Sequence, residues 1–225
     1  MTSLLGIVSV AAVVGLVALT VHWTRNQRDS LGRPRPFPVW SVSLLAVLAV
    51  VALIPGVLRH REEARLSRAA SALVGHRVSV HCQTTTSALV DAGNELGFVP
   101  FDADGNPLPK TTIKRDPCGA LRHYLRGGRD HPSMDEVLAV HVLTHESMHM
   151  RGTVNEALAE CQAVQRDRTM AELLGATPKQ GFKLAVTYWL TVYPDMPTDY
   201  FSNDCRPGGS LDEQLPTAPW LHFAQ

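Results

Sequence analysis

His145-Glu146-Ser147-Met148-His149 is the stretch around which the rest of the chain is organised. It has the pattern H-E-x-x-H, and it lies in a segment whose apolar residues follow helical spacing. Residues four apart share one face of a helix, so both imidazoles can reach a single metal ion. Glu146 projects about 100° away from His145 and can address a water at that metal without binding the metal. The pattern predicts the site of a zinc-dependent peptidase.

The helix that carries this motif has a clear predicted start. Ser133 and Glu136 form an S-x-x-E capping box directly after Pro132, and the apolar pattern continues to about Gly152. A helix this apolar is expected to be largely buried. Because burying imidazole and carboxylate groups is costly unless they are paired or bound to a metal, their presence on this helix indicates a function.

A second helix is expected immediately afterwards. Thr153 and Glu156 form a T-x-x-E capping box, and the helical pattern continues to Gly175. If this helix folds back antiparallel, Glu156 and Glu160, which are four residues apart, share a face beside the end of the metal helix. One carboxylate can bind the metal, and the other can accept the free ring N–H of a ligand histidine.

The residues alone leave several assignments open. Glu156 can instead be the N3 residue of the capping box, reaching back to Thr153. Glu160 can instead be the metal ligand itself or belong to a solvated helix face. His141 lies four residues before His145, and we expect it to be a hydrogen-bonded or pocket-lining histidine rather than a ligand.

H-E-x-x-H followed by Asn155-Glu156-Ala157-Leu158-Ala159-Glu160 resembles the gluzincins, the thermolysin-like zincin metallopeptidases. The resemblance covers about residues 141–165, and the gap from His149 to Glu156 is much shorter than in thermolysin. It implies a small, bacterial-type member with a compact, mainly helical minimal-zincin domain. It also implies that Glu160 orients a ligand histidine, His145, and that Zn²⁺ is bound by His145, His149 and Glu156.

In the expected reaction, Glu146 acts as general base toward the attacking water and then passes the proton to the leaving amine. The metal polarises the scissile carbonyl and shares the oxyanion charge. A further donor often assists such a reaction, and the sequence leaves four candidates unranked: Tyr188, Tyr193, Tyr200 and His131. The expected substrate is a peptide or protein.

A small β-sheet is predicted before the metal helix. Residues 76–82 alternate polar and apolar side chains, and residues 97–101 and 111–115 flank a strong turn signal at Asp104-Gly105-Asn106-Pro107. In zincin architectures an edge strand of such a sheet pairs with an extended peptide substrate. With the helices, these strands predict an α+β fold.

Two further helices are expected in the same domain. One lies within residues 118–128, and another begins at Thr177-Pro178 and ends before Pro194. The Pro- and Gly-rich tail, residues 200–225, is expected to wrap around the domain. Formal net charge is zero, which gives no indication of a nucleic-acid partner.

The four cysteines are Cys82, Cys118, Cys161 and Cys205, and none of them forms a C-x-x-C pair. An even, dispersed set is typical of two disulfides in an oxidising compartment. The alternative is four buried free thiols. Of the connectivities that four cysteines allow, we favour Cys82–Cys118 with Cys161–Cys205.

Two apolar runs lie near the beginning of the chain. Residues 3–21 and 39–58 carry no acidic or basic side chain, and each is close to the roughly 20 residues that a membrane helix needs. The segment between them is rich in arginine and in proline, which ends a helix. The pattern predicts a transmembrane helical hairpin over residues 1–58, a juxtamembrane helix over 59–75 and a metallopeptidase domain over 76–225.

The orientation of this hairpin is expected from its basic residues. The arginines of the loop nearly balance those that follow the second span, but the N-terminus has no basic side chain, whereas Arg25 and Arg28 follow the first span at once. This favours a cytoplasmic loop under the positive-inside rule. Because disulfides form in oxidising compartments, the cysteines favour the same arrangement. We therefore expect a two-span protein of the cytoplasmic membrane with its catalytic domain outside the cytoplasm.

A competing interpretation is a catalytically inactive metal-binding or envelope interaction protein on a zincin-like fold. The presence of Glu146 favours the enzyme, because a purely structural metal site has no need of a general base. An intramembrane protease is disfavoured, because the motif lies far beyond the second span on a helix that also carries Asp135 and Glu136.

Overall fold

The structure is a computed structural model that describes residues 4–28, 31–84, 93 and 95–220. The described chain forms two compact units, Met1–Arg61 and Glu62–Gln225. Its helices are α1 (Leu4–Arg25), α2 (Val39–Val74), α3 (Arg115–Arg126), α4 (Met134–Met150), α5 (Glu156–Val164), α6 (Asp167–Leu173) and α7 (Pro178–Thr191). Its strands are β1 (Ser79–Cys82), β2 (Gly97–Phe98) and β3 (Lys110–Ile113).

The first unit contains α1 and the first part of α2, two helices that are long and apolar enough to cross a membrane. Most of their large apolar side chains are exposed, among them Val10, Val14, Leu44 and Val50. The small side chains Ser9, Ala12, Ala49 and Ala52 are buried instead. This is the arrangement expected of helices whose apolar outer surface contacts lipid and whose small residues allow close helix packing.

The last part of α2 belongs to the second unit and forms part of its core. Leu66, Ala69, Ala70 and Val74 are buried at helical spacing, and the helix ends at Val74, close to the end of the predicted segment 59–75. The two units meet in sequence between Arg61 and Glu62. The segment predicted as a juxtamembrane helix is therefore a packing element of the second unit.

The second unit is mainly helical, with a three-stranded sheet in the order β1-β3-β2. β1 pairs with β3 in parallel, and β2 pairs with β3 in an antiparallel hairpin. The strands differ in bounds from the predicted segments: β1 covers only the end of 76–82, β2 covers only the start of 97–101, and β3 begins one residue before the predicted 111–115 and ends at Ile113. The described architecture agrees with the α+β expectation, and β2 lies at one edge of the sheet.

Helix α4 is the central element of this unit. Its predicted capping box is present: Glu136 N donates to Ser133 Oγ, and Ser133 N donates to Glu136 Oε2. Nearly every residue from Glu136 to Met150 is buried, because α3, α5, α6, α7 and the sheet all pack around this helix. A helix that is apolar on all sides is stable in water only when it is enclosed in this way.

The second capping box predicted from the sequence is wrong. Asn155, not Thr153, caps α5, and its Oδ1 accepts from Leu158 N at 2.9 Å. Glu156 is therefore the first residue of α5 and is not an N3 capping residue. The Thr153 hydroxyl donates instead to Gln162 Oε1 at 2.7 Å.

The single helix predicted from Thr153 to Gly175 is also wrong, because it is divided into α5 and α6. The chain turns at Gln165 and Arg166, where Arg166 N donates to Ala163 O at 2.8 Å. The Gln165 side chain donates to Leu211 O at 2.9 Å, so contacts with the tail stabilise the break. The following helix, α7, has the predicted Thr177–Gln180 capping box with Pro178 at its start, and it ends before Pro194.

Both favoured disulfides are present in the structure. Cys82–Cys118 joins β1 to α3, and Cys161–Cys205 joins α5 to the tail. They close loops of 36 and 44 residues, and the loss of unfolded-state entropy corresponds to about 4 kcal/mol of stability for each bridge. As expected, the tail packs on the domain over its described residues, 200–220, where Trp220 is buried against Trp189. Residues 221–225 of the predicted tail lie outside the part of the chain that the structure describes.

Candidate metal centre

Two helices and the turn between them position the predicted site. Helix α4 carries His145, Glu146 and His149, and α5 carries Glu156 and Glu160. Gly152 has a φ of 116°, a conformation that other residues rarely adopt, and its N–H donates to His149 O at 2.8 Å. This tight turn returns the chain onto α4, so the first turn of α5 lies beside the last turns of α4.

Three side-chain atoms converge at this place. His145 Nε2 and His149 Nε2 are 2.9 Å apart, and Glu156 Oε2 lies 3.1 Å from the first and 3.2 Å from the second. Zinc bonds of 2.0–2.1 Å in a tetrahedron place ligand atoms about 3.3 Å from one another. The three atoms therefore have nearly the spacing of three ligands around one ion.

The outer nitrogens of the two histidines are held by acceptors. His149 Nδ1 donates to Thr153 O at 2.7 Å, and His145 Nδ1 donates to Glu160 Oε2 at 2.9 Å. A neutral imidazole that donates from Nδ1 has a free electron pair on Nε2. Two such pairs and a carboxylate oxygen repel one another unless a cation is shared among them. The donor set therefore fits a metal ion such as Zn²⁺.

The pKa values reflect this convergence of acceptors. Burial alone would lower the pKa of His145, but hydrogen bonds to Glu156 and Glu160 raise it to about 9. Hydrogen bonds from the two histidines lower the pKa of Glu156 to about 2. At neutral pH the metal-free site therefore holds a proton on His145, which a bound metal would displace.

Hydrogen bonds to other side chains hold the Glu160 carboxylate away from the three converging ligand atoms. Besides His145, its Oε2 accepts from His141 Nε2 at 3.0 Å, and its Oε1 accepts from Tyr188 Oη at 2.6 Å. Burial raises the pKa of Glu160, but His141 and His145 lower it further, so the pKa lies well below its ordinary value. The carboxylate is ionised and fully hydrogen-bonded, which suits an orienting role better than metal binding.

His141 is a buried, hydrogen-bonded histidine. Its Nδ1 donates to Asp167 Oδ2 at 2.8 Å, its Nε2 donates to Glu160, and its ring stacks on Tyr188 with centroids 3.5 Å apart. Burial lowers its pKa, but Asp167 and Glu160 outweigh this effect and raise the pKa to about 10. Although His141, His145 and Glu160 also form a group with metal-binding spacing, His141 has no electron pair to offer. No pattern in the sequence pointed to Asp167, which lies beyond the break after α5.

Glu146 is buried beside the three converging atoms but is not one of them. Burial raises its pKa, and the Thr111 hydroxyl, which donates to Phe98 O at 2.9 Å, also lies 3.4 Å from Glu146 Oε2. A Cβ added to Gly97 would lie 3.0 Å from Glu146 Cγ and Oε1. The sheet therefore covers Glu146 closely, and Gly97 and Thr111 are site residues that sequence reasoning did not single out.

Two cavities open beside Glu146. A cavity of about 420 Å³ has a mainly apolar lining that includes Leu138, Val142 and Met196. A smaller one of about 130 Å³ is lined by Phe98, Phe101, His149 and Glu156, among others. Both are also lined by Glu146 and by Tyr200, so the predicted base lies where the two cavities adjoin.

The four side chains predicted as candidate hydrogen-bond donors to the reaction have different surroundings in the structure. Tyr188 Oη donates to Glu160, Tyr193 Oη donates to Ser202 O at 3.0 Å, and His131 is exposed at the surface. The ring of Tyr200 lies 5.7 Å from that of His145 and faces both cavities. Tyr200 is therefore the candidate that the fold brings to the site.

No protein-family model, no curated protein and no solved structure matches this chain. The site has its own distinct geometry. It consists of two buried imidazole nitrogens and one oxygen of a half-buried carboxylate, with a separate buried carboxylate alongside that lines two cavities.

Proposed function

We propose that this protein is a membrane-anchored, zinc-dependent metallopeptidase of the zincin type, similar to the gluzincins. The observation that carries the proposal is the convergence of His145 Nε2, His149 Nε2 and Glu156 Oε2 within 3.2 Å of one another, next to the buried, non-ligating Glu146. Two imidazoles and one carboxylate form a donor set used by catalytic zinc sites, which keep a fourth position for water or substrate.

The ligands in this proposal are His145, His149 and Glu156, and Glu160 orients the ring of His145. When bound, zinc supplies Lewis-acid polarisation of a carbonyl and lowers the pKa of a coordinated water toward 7. The hydrogen bonds from Nδ1 of each histidine keep Nε2 directed at the ion, and they raise the basicity of the ring.

Glu146 is the proposed general base. Its carboxylate accepts a proton from the attacking water and later donates that proton to the nitrogen of the leaving amine, so the proton is conserved over the reaction. Burial raises the pKa of Glu146, which favours retention of the proton between the two steps. The contacts with Gly97 and Thr111 restrict the movement of this side chain.

The cleft supports a peptide as the substrate. β2 lies at the edge of the described sheet, directly above Glu146, and an extended peptide can add to such an edge through main-chain hydrogen bonds. Leu96, Phe98 and Phe101 are partly exposed along this edge, and the larger cavity is mainly apolar. These features suit a polypeptide with apolar side chains near the cleaved bond.

A catalytically inactive metal-binding module is the alternative. It needs the three ligands but gives Glu146 no role, and burying a carboxylate costs free energy that a structural metal site does not require. The position of Glu146 between two cavities therefore favours the enzyme.

The proposed location is the cytoplasmic membrane, with two spans and the metallopeptidase domain outside the cytoplasm. The two apolar helices and the two disulfides support it. A large maleimide reacts with free thiols but not with disulfides. When cell protein is denatured and treated with this reagent without prior reduction, the mass of the chain is therefore expected to stay unchanged. Modification of the four cysteines under those conditions would place the domain in a reducing compartment and contradict the proposal.

Metal removal tests the proposed function directly. The full chain, purified in detergent, is expected to contain one zinc ion and to cleave an unfolded protein substrate. A chelator should abolish cleavage, and zinc added back should restore it, because the three ligands hold the ion without other support. Cleavage that persists after complete metal removal, or a metal-loaded protein that cleaves no peptide in a broad library, would contradict the proposal.

A further inference from the structure

A buried chain of polar side chains extends from the metal site into the core. It runs from His145 through Glu160 and His141 to Asp167, with hydrogen bonds of 2.9, 3.0 and 2.8 Å. All four side chains are buried, and they join α4, α5 and α6. His145 and Glu160 have roles in the proposed metal site, whereas His141 and Asp167 have none.

Stability alone does not explain these two residues. Replacing a buried ion pair with apolar residues is often neutral or stabilising, because the pair must lose its hydration. The position of His141 and Asp167 is specific, however, since His141 contacts the same oxygen, Glu160 Oε2, that accepts from His145. His141 and Asp167 therefore act on Glu160 Oε2, which is the atom that accepts the hydrogen bond from the metal ligand His145.

We infer that His141, fixed by Asp167 and by its stack on Tyr188, is a positioning residue that orients Glu160 and, through it, the metal ligand His145. This inference rests on the proposed metal site. Glu160 receives two ring N–H groups on one oxygen and the Tyr188 hydroxyl on the other, so its carboxylate has a single orientation. The orientation of Glu160 fixes His145 Nδ1 as the donor and leaves Nε2 for the metal.

Both ring nitrogens of His141 face carboxylates, so both donate and the ring is positively charged. This charge lies between Asp167 and Glu160 and balances part of their negative charge. With His141 on the same oxygen, Glu160 Oε2 lies where its hydrogen bond orients the ring of His145, with Nδ1 toward Glu160 and Nε2 toward the metal.

His141→Phe in the full chain tests this inference. Phenylalanine can keep the stack on Tyr188 but removes both hydrogen-bond donors. We expect zinc affinity, measured by competition with a chromophoric chelator, to fall by about 10–100-fold, the usual effect of losing a residue that orients a metal ligand. In protein loaded with Co²⁺, the visible absorption bands should also shift, because the orientation of His145 changes.

Asp167→Asn is the second variant and nearly preserves the side-chain shape. An amide cannot balance the positive ring of His141, so zinc affinity should fall and the Co²⁺ bands should shift, as for His141→Phe. If His141→Phe does not fold, Asp167→Asn provides the test.

Gln165→Met is the matched control: Gln165 is buried and polar, but its side chain bonds to Cys161, Leu211 and Glu213 rather than to Glu160. It should lower the melting temperature without changing the Co²⁺ bands.

The outcomes separate this inference from the proposed function. If the unmodified chain binds no zinc, the metal site itself is wrong. If it binds zinc, but His141→Phe or Asp167→Asn retains its affinity within twofold and its Co²⁺ bands, the positioning role is wrong. The role is also wrong if Gln165→Met lowers zinc affinity as much as they do, because the effect is then one of general stability.

Discussion

Replacing Glu146 with glutamine is expected to abolish peptide hydrolysis while leaving the zinc content unchanged. Glutamine has nearly the same shape and keeps the contacts with Gly97 and Thr111, but it cannot accept a proton. General base catalysis contributes roughly 10²–10⁴-fold to rate, so kcat/KM should fall by at least that factor. The measurements are the rate of cleavage of a peptide and the zinc-to-protein ratio of the purified full chain.

The geometry makes this variant a sharp test. Glu146 is not among the three converging atoms, so its loss should not weaken metal binding. Glu172→Gln serves as the control, because it makes the same chemical change at a helix residue whose carboxylate pairs with Arg168. A Glu146→Gln protein that keeps its rate would exclude the base assignment, and one that loses zinc would make Glu146 a ligand instead.

The second large effect is expected at the third ligand. Glu156→Ala should weaken zinc binding by more than the 10–100-fold that the loss of an orienting partner costs, because it removes a direct bond to the ion. Glu160→Gln should stay within that 10–100-fold range. The Glu156 side chain is 42% exposed, so its truncation should leave the fold intact.

The two variants should be compared above pH 9, where His145 no longer holds a proton that competes with the metal. Competition with a chelator gives the affinity, and thermal unfolding of the metal-free protein gives the control for folding. The reverse order, with Glu160→Gln losing the metal and Glu156→Ala retaining it, would exchange the two roles. Equal losses with equal destabilisation would show that neither carboxylate binds the ion.

Much of the candidate site can be predicted from local sequence signals. The capping box at Ser133 and the apolar spacing after it define a helix over Met134–Met150, and H-E-x-x-H then places two imidazoles on one face. The two apolar helices can also be predicted from local sequence, since their length and composition are enough to indicate them. These features depend on residues within a few turns of one another, so they need no knowledge of distant contacts.

Local signals failed where two of them compete. Thr153 and Asn155 can both cap a helix, and the T-x-x-E pattern favoured Thr153. In the folded chain the Thr153 hydroxyl bonds to Gln162, and Asn155 becomes the cap. The helix after it is divided at Gln165 because the side chain of that residue bonds to the tail, almost fifty residues further along the chain.

The sequence by itself determined which residues form the proposed site: two histidines and a glutamate on one helix, and two more glutamates on the next. Only the tertiary structure separated their proposed roles, because these depend on atoms that are distant in the chain. Glu156 Oε2 lies against both Nε2 atoms, whereas Glu160 is drawn to His141, His145 and Tyr188. A hydrogen bond constrains an orientation only when both partners are fixed, and packing of α4 against α5, α6, α7 and the sheet is what fixes them here.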